Sequence, residues 1–198
     1  MKFFYVFFFA LLIRVFYIFF LVEVDNLTSE DQLMYIELSQ SISDTSFFDG
    51  LTERVPGYSY FLSIIFLVFG KGSLWVVLFF QILIDSMTCI VIGLLCESFF
   101  SKSFFLGGLI SAFNLNMIIL SGMILTDTLF LFVFSLFLLS LTTYIRSYRN
   151  SFLFMSFLLL ALATFIRPIS YYLIPILLFL LVLWWLVYKK ESLLNISF

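Results

Sequence analysis

Apolar runs long enough to cross a lipid bilayer recur along most of this chain. A bilayer core about 30 Å thick takes roughly 20 mostly apolar residues in a helix. Because a backbone inside lipid must satisfy its own hydrogen bonds, such runs are expected to be helical. The predicted fold class is therefore an all-α integral membrane protein with about six transmembrane helices. The predicted spans are Phe3–Val22, Trp75–Cys96, Phe104–Ser121, Thr128–Ile145, Phe152–Ile166 and Tyr171–Tyr188.

The composition supports the same class and excludes others. Hydrophobic residues make up 64% of the 198 residues and charged residues only 11%, whereas soluble domains carry about 25% charged residues. A net charge of −2 without a basic stripe argues against nucleic acid as a partner. Histidine is absent, and Cys89 and Cys96 lie within one span. We therefore predict no disulfide, no metal site and no other cofactor.

The polar stretch of residues 23–57 separates the first two predicted spans, and charge decides its location. We place the N-terminus in the cytoplasm and the apolar segment Pro56–Phe69 at the membrane surface, not across it. Six of the ten basic residues then face the cytoplasm, as the positive-inside rule requires: Lys2, Lys102, Arg146, Arg149, Lys189 and Lys190. The stretch becomes an extracytoplasmic loop with juxtamembrane helices, within one domain of residues 1–198. A multi-pass protein of a bacterial inner (plasma) membrane, surrounded by membrane lipid, is the expected setting.

Two carboxylates stand near the extracytoplasmic boundary of these spans, and each has two interpretations. Asp31 lies three residues after Thr28, so it either completes a capping box or acts as a base near the lipid headgroups. Asp127 either caps the fourth span or is a functional ionisable group at membrane depth. The sequence leaves both pairs of alternatives open.

Two arginines beside prolines lie at the same boundary. Arg54 precedes Pro56-Gly57-Tyr58, and Arg167 precedes Pro168. A guanidinium there can bind the phosphate oxygens of a headgroup, although interfacial arginines are also common without a ligand. Inside the spans, Arg14 and Asp85 are expected to pair as an interhelical contact. Arginines and carboxylates gathered at one face of an apolar bundle suit a lipid-phosphate substrate.

Five motifs in order resemble the GT-C glycosyltransferases, and more narrowly the branch of protein O-mannosyltransferases and aminoarabinose transferases. The resemblance covers roughly residues 3–186. It implies transfer of a sugar from a polyprenyl-phosphate-linked donor to an extracytoplasmic glycan, lipid or protein acceptor. The motifs are Asp31-x-x-x-Tyr35, Arg54-x-Pro56-Gly57-Tyr58, Gln81-x-x-x-Asp85, Thr126-Asp127-Thr128-Leu129-Phe130 and Thr164-x-x-Arg167-Pro168.

The same resemblance implies roles for individual residues. Asp31 matches the catalytic aspartate of the first loop, Asp127 would support it or orient the acceptor, and Glu30 is a neighbouring catalytic candidate. Preorganised positive charge would stabilise the leaving phosphate in a direct, inverting displacement. The residues expected to bind substrate are Arg54, Tyr58, Arg167 and Tyr35.

The chain departs from the family pattern in two respects. Gln32 stands where the family often has a second acidic residue, and the chain is shorter than typical members. We therefore expect a minimal version, a fragment or one half of a complex with a partner subunit. Two rival functions remain: a flippase or transport component for lipid-linked sugars, and a catalytically silent subunit. Asp31 separates them from a transferase, because neither rival needs a base there.

Overall fold

A computed structural model describes residues 1–22, 29–44, 55–180 and 182–183, and within these ranges the chain is helical between short turns. The chain forms two units, Met1–Arg167 and Pro168–Phe198. The described part of the second unit begins as a 3₁₀ turn, Pro168–Tyr172, and belongs to an apolar helical stretch, Pro168–Leu180. The helices of the first unit are α1 (Lys2–Leu21), α2 (Glu30–Asp44), α3 (Gly57–Phe69), α4 (Leu74–Phe99), α5 (Phe104–Ala112), α6 (Leu115–Ser121), α7 (Asp127–Ser147) and α8 (Asn150–Ile166).

Among the described residues, the helices long and apolar enough to cross a membrane by themselves are α1, α4 and α7. The helices α5 and α6 add a fourth span only if they are counted together, because they are bent by 57° at the break between them. The prediction of about six spans is therefore not confirmed, although an all-α membrane fold is consistent with the structure. The helix α8 has 17 residues, which rise about 26 Å against a core of about 30 Å. The end of the sixth predicted span, residues 184–188, lies outside the described residues.

The break between α5 and α6 has a local cause. Asn114 is the N-cap of α6, and its side chain accepts a hydrogen bond from the Met117 amide at 3.1 Å. An asparagine cap satisfies an amide that the first turn of a helix leaves without an intrahelical partner, so it favours a new helix start inside the apolar run. Phe104–Ser121 is therefore two helices and not the one continuous span that its hydrophobicity predicts.

The helices α1 and α4 run antiparallel, which defines the two ends of the first unit. At one end, Lys2 Nζ lies 2.6 Å from Glu97 Oε2. At the other end, the rings of Phe19 and Trp75 stack with their centroids 6.1 Å apart. We call this second end the loop end, because α2 and α3 follow α1 there and precede α4.

The pairing predicted for Arg14 and Asp85 is confirmed. Arg14 Nε lies 2.5 Å from Asp85 Oδ2, and the two side chains are 0% and 1% exposed. Arg14 Nη1 also donates to the carbonyls of Ala10 and Ala112, each at 3.1 Å. Ala112 ends α5, so the guanidinium satisfies a carbonyl that the break leaves without its helical partner. This contact joins α1, α4 and the broken pair α5–α6.

The helix α3 has 13 residues, which is about 20 Å of helix and too short to cross the bilayer core. The location of Pro56–Phe69 at the membrane surface stays a prediction. One face of α3 is buried in an apolar cluster with α1 and α4, in which Leu62 and Phe66 pack with Ile18 and Leu78. The helix α3 therefore lies at the loop end, and it begins with Gly57 and Tyr58 of the predicted Arg54-x-Pro56-Gly57-Tyr58 motif.

Candidate functional site

The helices α7 and α8 form a hairpin whose open end lies at the loop end. The helix α7 begins at Asp127, and α8 ends at Ile166. Arg167 follows in extended backbone, with φ −146° and ψ 121°. A residue before proline is disfavoured from the helical region, so Pro168 explains why α8 stops there. The hairpin brings Asp127 and Arg167 to one place although they are 40 residues apart.

Asp127 and Arg167 form an ion pair through Asp127 Oδ1 and Arg167 Nη1. Thr126 holds the N-cap position of α7 and makes no side-chain capping bond, so Asp127 is the first residue of the helix and not its cap. A carboxylate in this first turn is also favoured by the helix dipole. The side chains of Arg167 and Asp127 are 42% and 26% exposed. Both groups are therefore accessible from outside while they hold each other.

The helix α2, which carries Asp31, is bound to the segment that leads into α7. The neighbouring residue, Gln32, is buried, and its Oε1 accepts a hydrogen bond from the Ile124 amide at 3.2 Å. Asp31 and Glu30 are exposed in the first turn of α2. Gln32 thus ties α2 to Ile124, three residues before Asp127.

Two predictions involve residues that the structure does not describe: the capping box of Asp31 with Thr28, and the binding of phosphate by Arg54. Thr28 and Arg54 lie outside the described residues. In the described part of the chain, no group of three metal-ligating side chains converges.

Tyr58 and Tyr35, which were predicted to bind substrate, lie beneath the surface of the site. They are 0% and 8% exposed, and their rings meet edge to face at 5.2 Å. The Tyr58 hydroxyl donates to Gln81 Oε1 at 2.6 Å. Burial raises the pKa of Tyr58 well above its usual value, with further contributions from Tyr35 and Asp127. The hydroxyl therefore stays protonated and remains a donor.

Gln81 connects this tyrosine to the chain before α7. It is 1% exposed, and its Nε2 donates to the carbonyls of Met123 at 2.6 Å and Ser121 at 3.3 Å. From the sequence, Gln81 is predicted only as part of the Gln81-x-x-x-Asp85 motif. The signal that could have found it is an amide inside an apolar span, since a buried amide without partners is costly.

Gly57 sets the distance between α3 and the end of α8. A Cβ added at Gly57 would lie 2.4 Å from the carbonyl oxygen of Phe165 and 3.0 Å from Ile166 Cα. These are backbone atoms of the residues just before Arg167, so they cannot rotate away as a flexible side chain would. Only glycine allows α3 to approach α8 this closely.

We expect Gly57→Ala to lower the free energy of unfolding by about 1–3 kcal/mol, the usual cost of overpacking. Thermal unfolding of the purified protein in detergent measures it. The control is Ser63→Ala on the same helix, which removes only a bond from Ser63 Oγ to the Tyr60 carbonyl. Equal stability of the Gly57 and Ser63 variants would show that α3 and α8 are not in close contact.

Comparisons with known proteins add one finding to this geometry. The family model described as dolichyl-phosphate-mannose-protein mannosyltransferase matches residues 53–196. The match includes Gln81, Asp127 and Arg167, and it begins after α2. No curated protein and no solved structure matches the chain.

Proposed function

Because the chain belongs to the dolichyl-phosphate-mannose-protein mannosyltransferase family, we propose that it transfers a sugar from a polyprenyl-phosphate donor at the loop end. Family membership makes it a membrane glycosyltransferase of the GT-C kind that uses a lipid-linked sugar. The polyprenyl carrier, the residues that act and the side of the membrane are our proposals. The acceptor is an extracytoplasmic hydroxyl of a glycan, a lipid or a protein.

The observation that carries the proposal is the accessible Asp127–Arg167 ion pair at the end of an apolar bundle. The donor has a phosphate at the membrane surface and an apolar tail within it. A guanidinium carries five N–H donors, and 42% of the Arg167 side chain is exposed. Arg167 can therefore meet a phosphate oxygen while Asp127 holds it in place.

In the proposed reaction, an acceptor hydroxyl oxygen attacks the anomeric carbon of the sugar. Asp31 takes the hydroxyl proton, the bond between the anomeric carbon and the phosphate oxygen breaks, and the polyprenyl phosphate leaves with the electron pair. Attack opposite the leaving group inverts the anomeric configuration. Arg167 stabilises the charge that develops on the phosphate, and Asp127 orients Arg167 or the acceptor. Arg54 is proposed as a second phosphate ligand and Glu30 as the alternative base.

Two features support the assignment of Asp31. Its side chain is exposed, as a base that meets an acceptor requires. The bond from the Ile124 amide to Gln32 fixes the start of α2 against the segment that enters α7. Asp31 thus lies on a helix whose start is held in place, and a fixed position is what general base catalysis needs.

The distribution of basic residues supports an extracytoplasmic location of the loop end. Lys2 begins α1 at the opposite end of the first unit, where it pairs with Glu97 near the end of α4. Arg146 and Arg149 lie at the closed end of the α7–α8 hairpin, also away from the loop end. Positive residues favour the cytoplasmic side, so the loop end with Asp127 and Arg167 faces outward in our proposal.

We expect Arg167→Ala to weaken binding of polyprenyl phosphate, because it removes a charge-assisted contact worth about 1.5–3 kcal/mol. This corresponds to a roughly 10- to 150-fold rise in Kd. Titration of the lipid into the protein in nanodiscs measures it. The control is Arg149→Ala at the other end of the hairpin. Equal affinity in the two variants would remove Arg167 from the phosphate site.

A further inference from the structure

Gln81 contacts two segments of the protein, one that leads to Arg167 and one that leads to Asp127. On one side it accepts a hydrogen bond from Tyr58, whose preceding residue, Gly57, packs on the backbone just before Arg167. On the other side it donates to Met123, four residues before Asp127. The contacts form a closed circuit, since Asp127 and Arg167 themselves pair. A shift of the Gln81 side chain therefore changes the placement of both members of the pair.

The segment between α6 and α7 depends on such contacts for its position. It contains the residues 122–126, which have no helical hydrogen-bond ladder of their own. Gln81 binds its start through Ser121 and Met123, and Gln32 binds its middle through Ile124. Thr128 Oγ1 also donates to the Leu120 carbonyl at 3.2 Å. Gln81 lies on α4, so it anchors the start of the segment to a helix that neither ends nor begins there.

The chemistry of the side chain explains why an amide stands at this position. A glutamine presents an acceptor oxygen and two N–H donors at one place. The Tyr58 hydroxyl uses the oxygen, and the two backbone carbonyls use the nitrogen. A carboxylate could not donate, and an aliphatic side chain could do neither. An amide buried in an apolar span is costly unless it is satisfied in this way.

We propose that Gln81 is a positioning residue for sugar transfer, which sets Asp127 and Arg167 relative to each other through Met123 and Tyr58. The inference rests on the proposed function and assigns Gln81 no contact with substrate. Displacement of catalytic groups by about 1 Å costs about 100-fold in rate. Loss of Gln81 should therefore act on kcat, while the donor still binds through Arg167.

The test compares Gln81→Leu and Tyr58→Phe with wild type, using kcat for sugar transfer and the Kd for polyprenyl phosphate. We expect Gln81→Leu to lower kcat about 100-fold with little change in Kd. Tyr58→Phe removes one hydrogen bond of the circuit and keeps the aromatic ring. It therefore provides a folded variant for the test even if Gln81→Leu does not fold. It should lower kcat roughly 2- to 10-fold. The matched control is Ser86→Ala, because Ser86 is buried on the same helix and bonds only the Ile82 carbonyl of that helix.

A double-variant cycle separates positioning from a general structural effect. If Gln81 acts through the ion pair, its replacement should lower kcat much less in an Arg167→Ala background than in wild type. Losses of kcat that simply add in the double variant would overturn this inference. So would Gln81→Leu and Tyr58→Phe variants whose kcat equals that of the Ser86→Ala control. Neither result would overturn the proposed function. Absence of transfer by wild type would overturn the proposed function and this inference together.

Discussion

Asp31→Asn is expected to lower sugar transfer by roughly 10²- to 10⁴-fold, the usual effect of removing a general base. Donor binding and the yield of folded protein should stay near wild type. Asparagine keeps the size of aspartate and its capping oxygen, so a purely structural Asp31 would tolerate the change. It has no basic lone pair at neutral pH, so a base would not. Initial rates of transfer from a polyprenyl-phosphate sugar measure the difference.

The matched control for this variant is Glu37→Gln, which removes an exposed carboxylate farther along α2. The pair of variants also tests the rival functions. A flippase or a silent subunit carrying Asp31→Asn would behave like its wild type, because neither uses a base there. Full transferase activity in Asp31→Asn would refute the assignment and move the role of base to Asp127 or Glu30.

Asp85→Ala is expected to destabilise the protein by about 3–5 kcal/mol, because it leaves a buried arginine without its partner. Arg14 is 0% exposed and bonds α1 to α4 and to the end of α5. Its charge cannot reach water or a headgroup from that position. Thermal unfolding in detergent and the yield of folded protein measure the loss.

The control for this prediction replaces both partners. Arg14→Met combined with Asp85→Leu removes the charges together, and buried pairs replaced by apolar residues are often neutral in stability. The double variant should therefore recover most of the stability that Asp85→Ala loses. A single variant as stable as wild type would contradict the buried ion pair.

Local patterns in the sequence were sufficient for part of this fold. The spans α1, α4 and α7 follow from apolar runs that few charges interrupt, and the pairing of Arg14 with Asp85 follows from the cost of charge in lipid. The bend between α5 and α6 does not follow from hydrophobicity, because Asn114 and Asn116 interrupt the run only briefly and it is apolar on both sides. Only Asn114 marks the new helix start, and a single cap residue is weak evidence without a structure.

The candidate site, like the fold, could be predicted from the sequence only in part. The positive-inside rule and the proline after Arg167 were enough to predict that Asp127 and Arg167 lie at one end of the bundle. The motif could not show that Tyr58 faces inward, because the direction of a side chain on α3 depends on which face packs against α2 and α4. On α2, Tyr35 is buried while Asp31, one turn earlier, is exposed. The rotation of a helix about its own axis comes from tertiary packing, which the sequence does not fix locally.

Sugar transfer at the loop end can be measured as turnover of a polyprenyl-phosphate sugar by the purified wild-type chain, with acceptor hydroxyls supplied and the anomeric configuration of the product determined. We expect release of polyprenyl phosphate together with a glycosylated acceptor of inverted configuration, and loss of both in Asp31→Asn. Binding of the donor without release of polyprenyl phosphate, under conditions in which the chain stays folded, would contradict it.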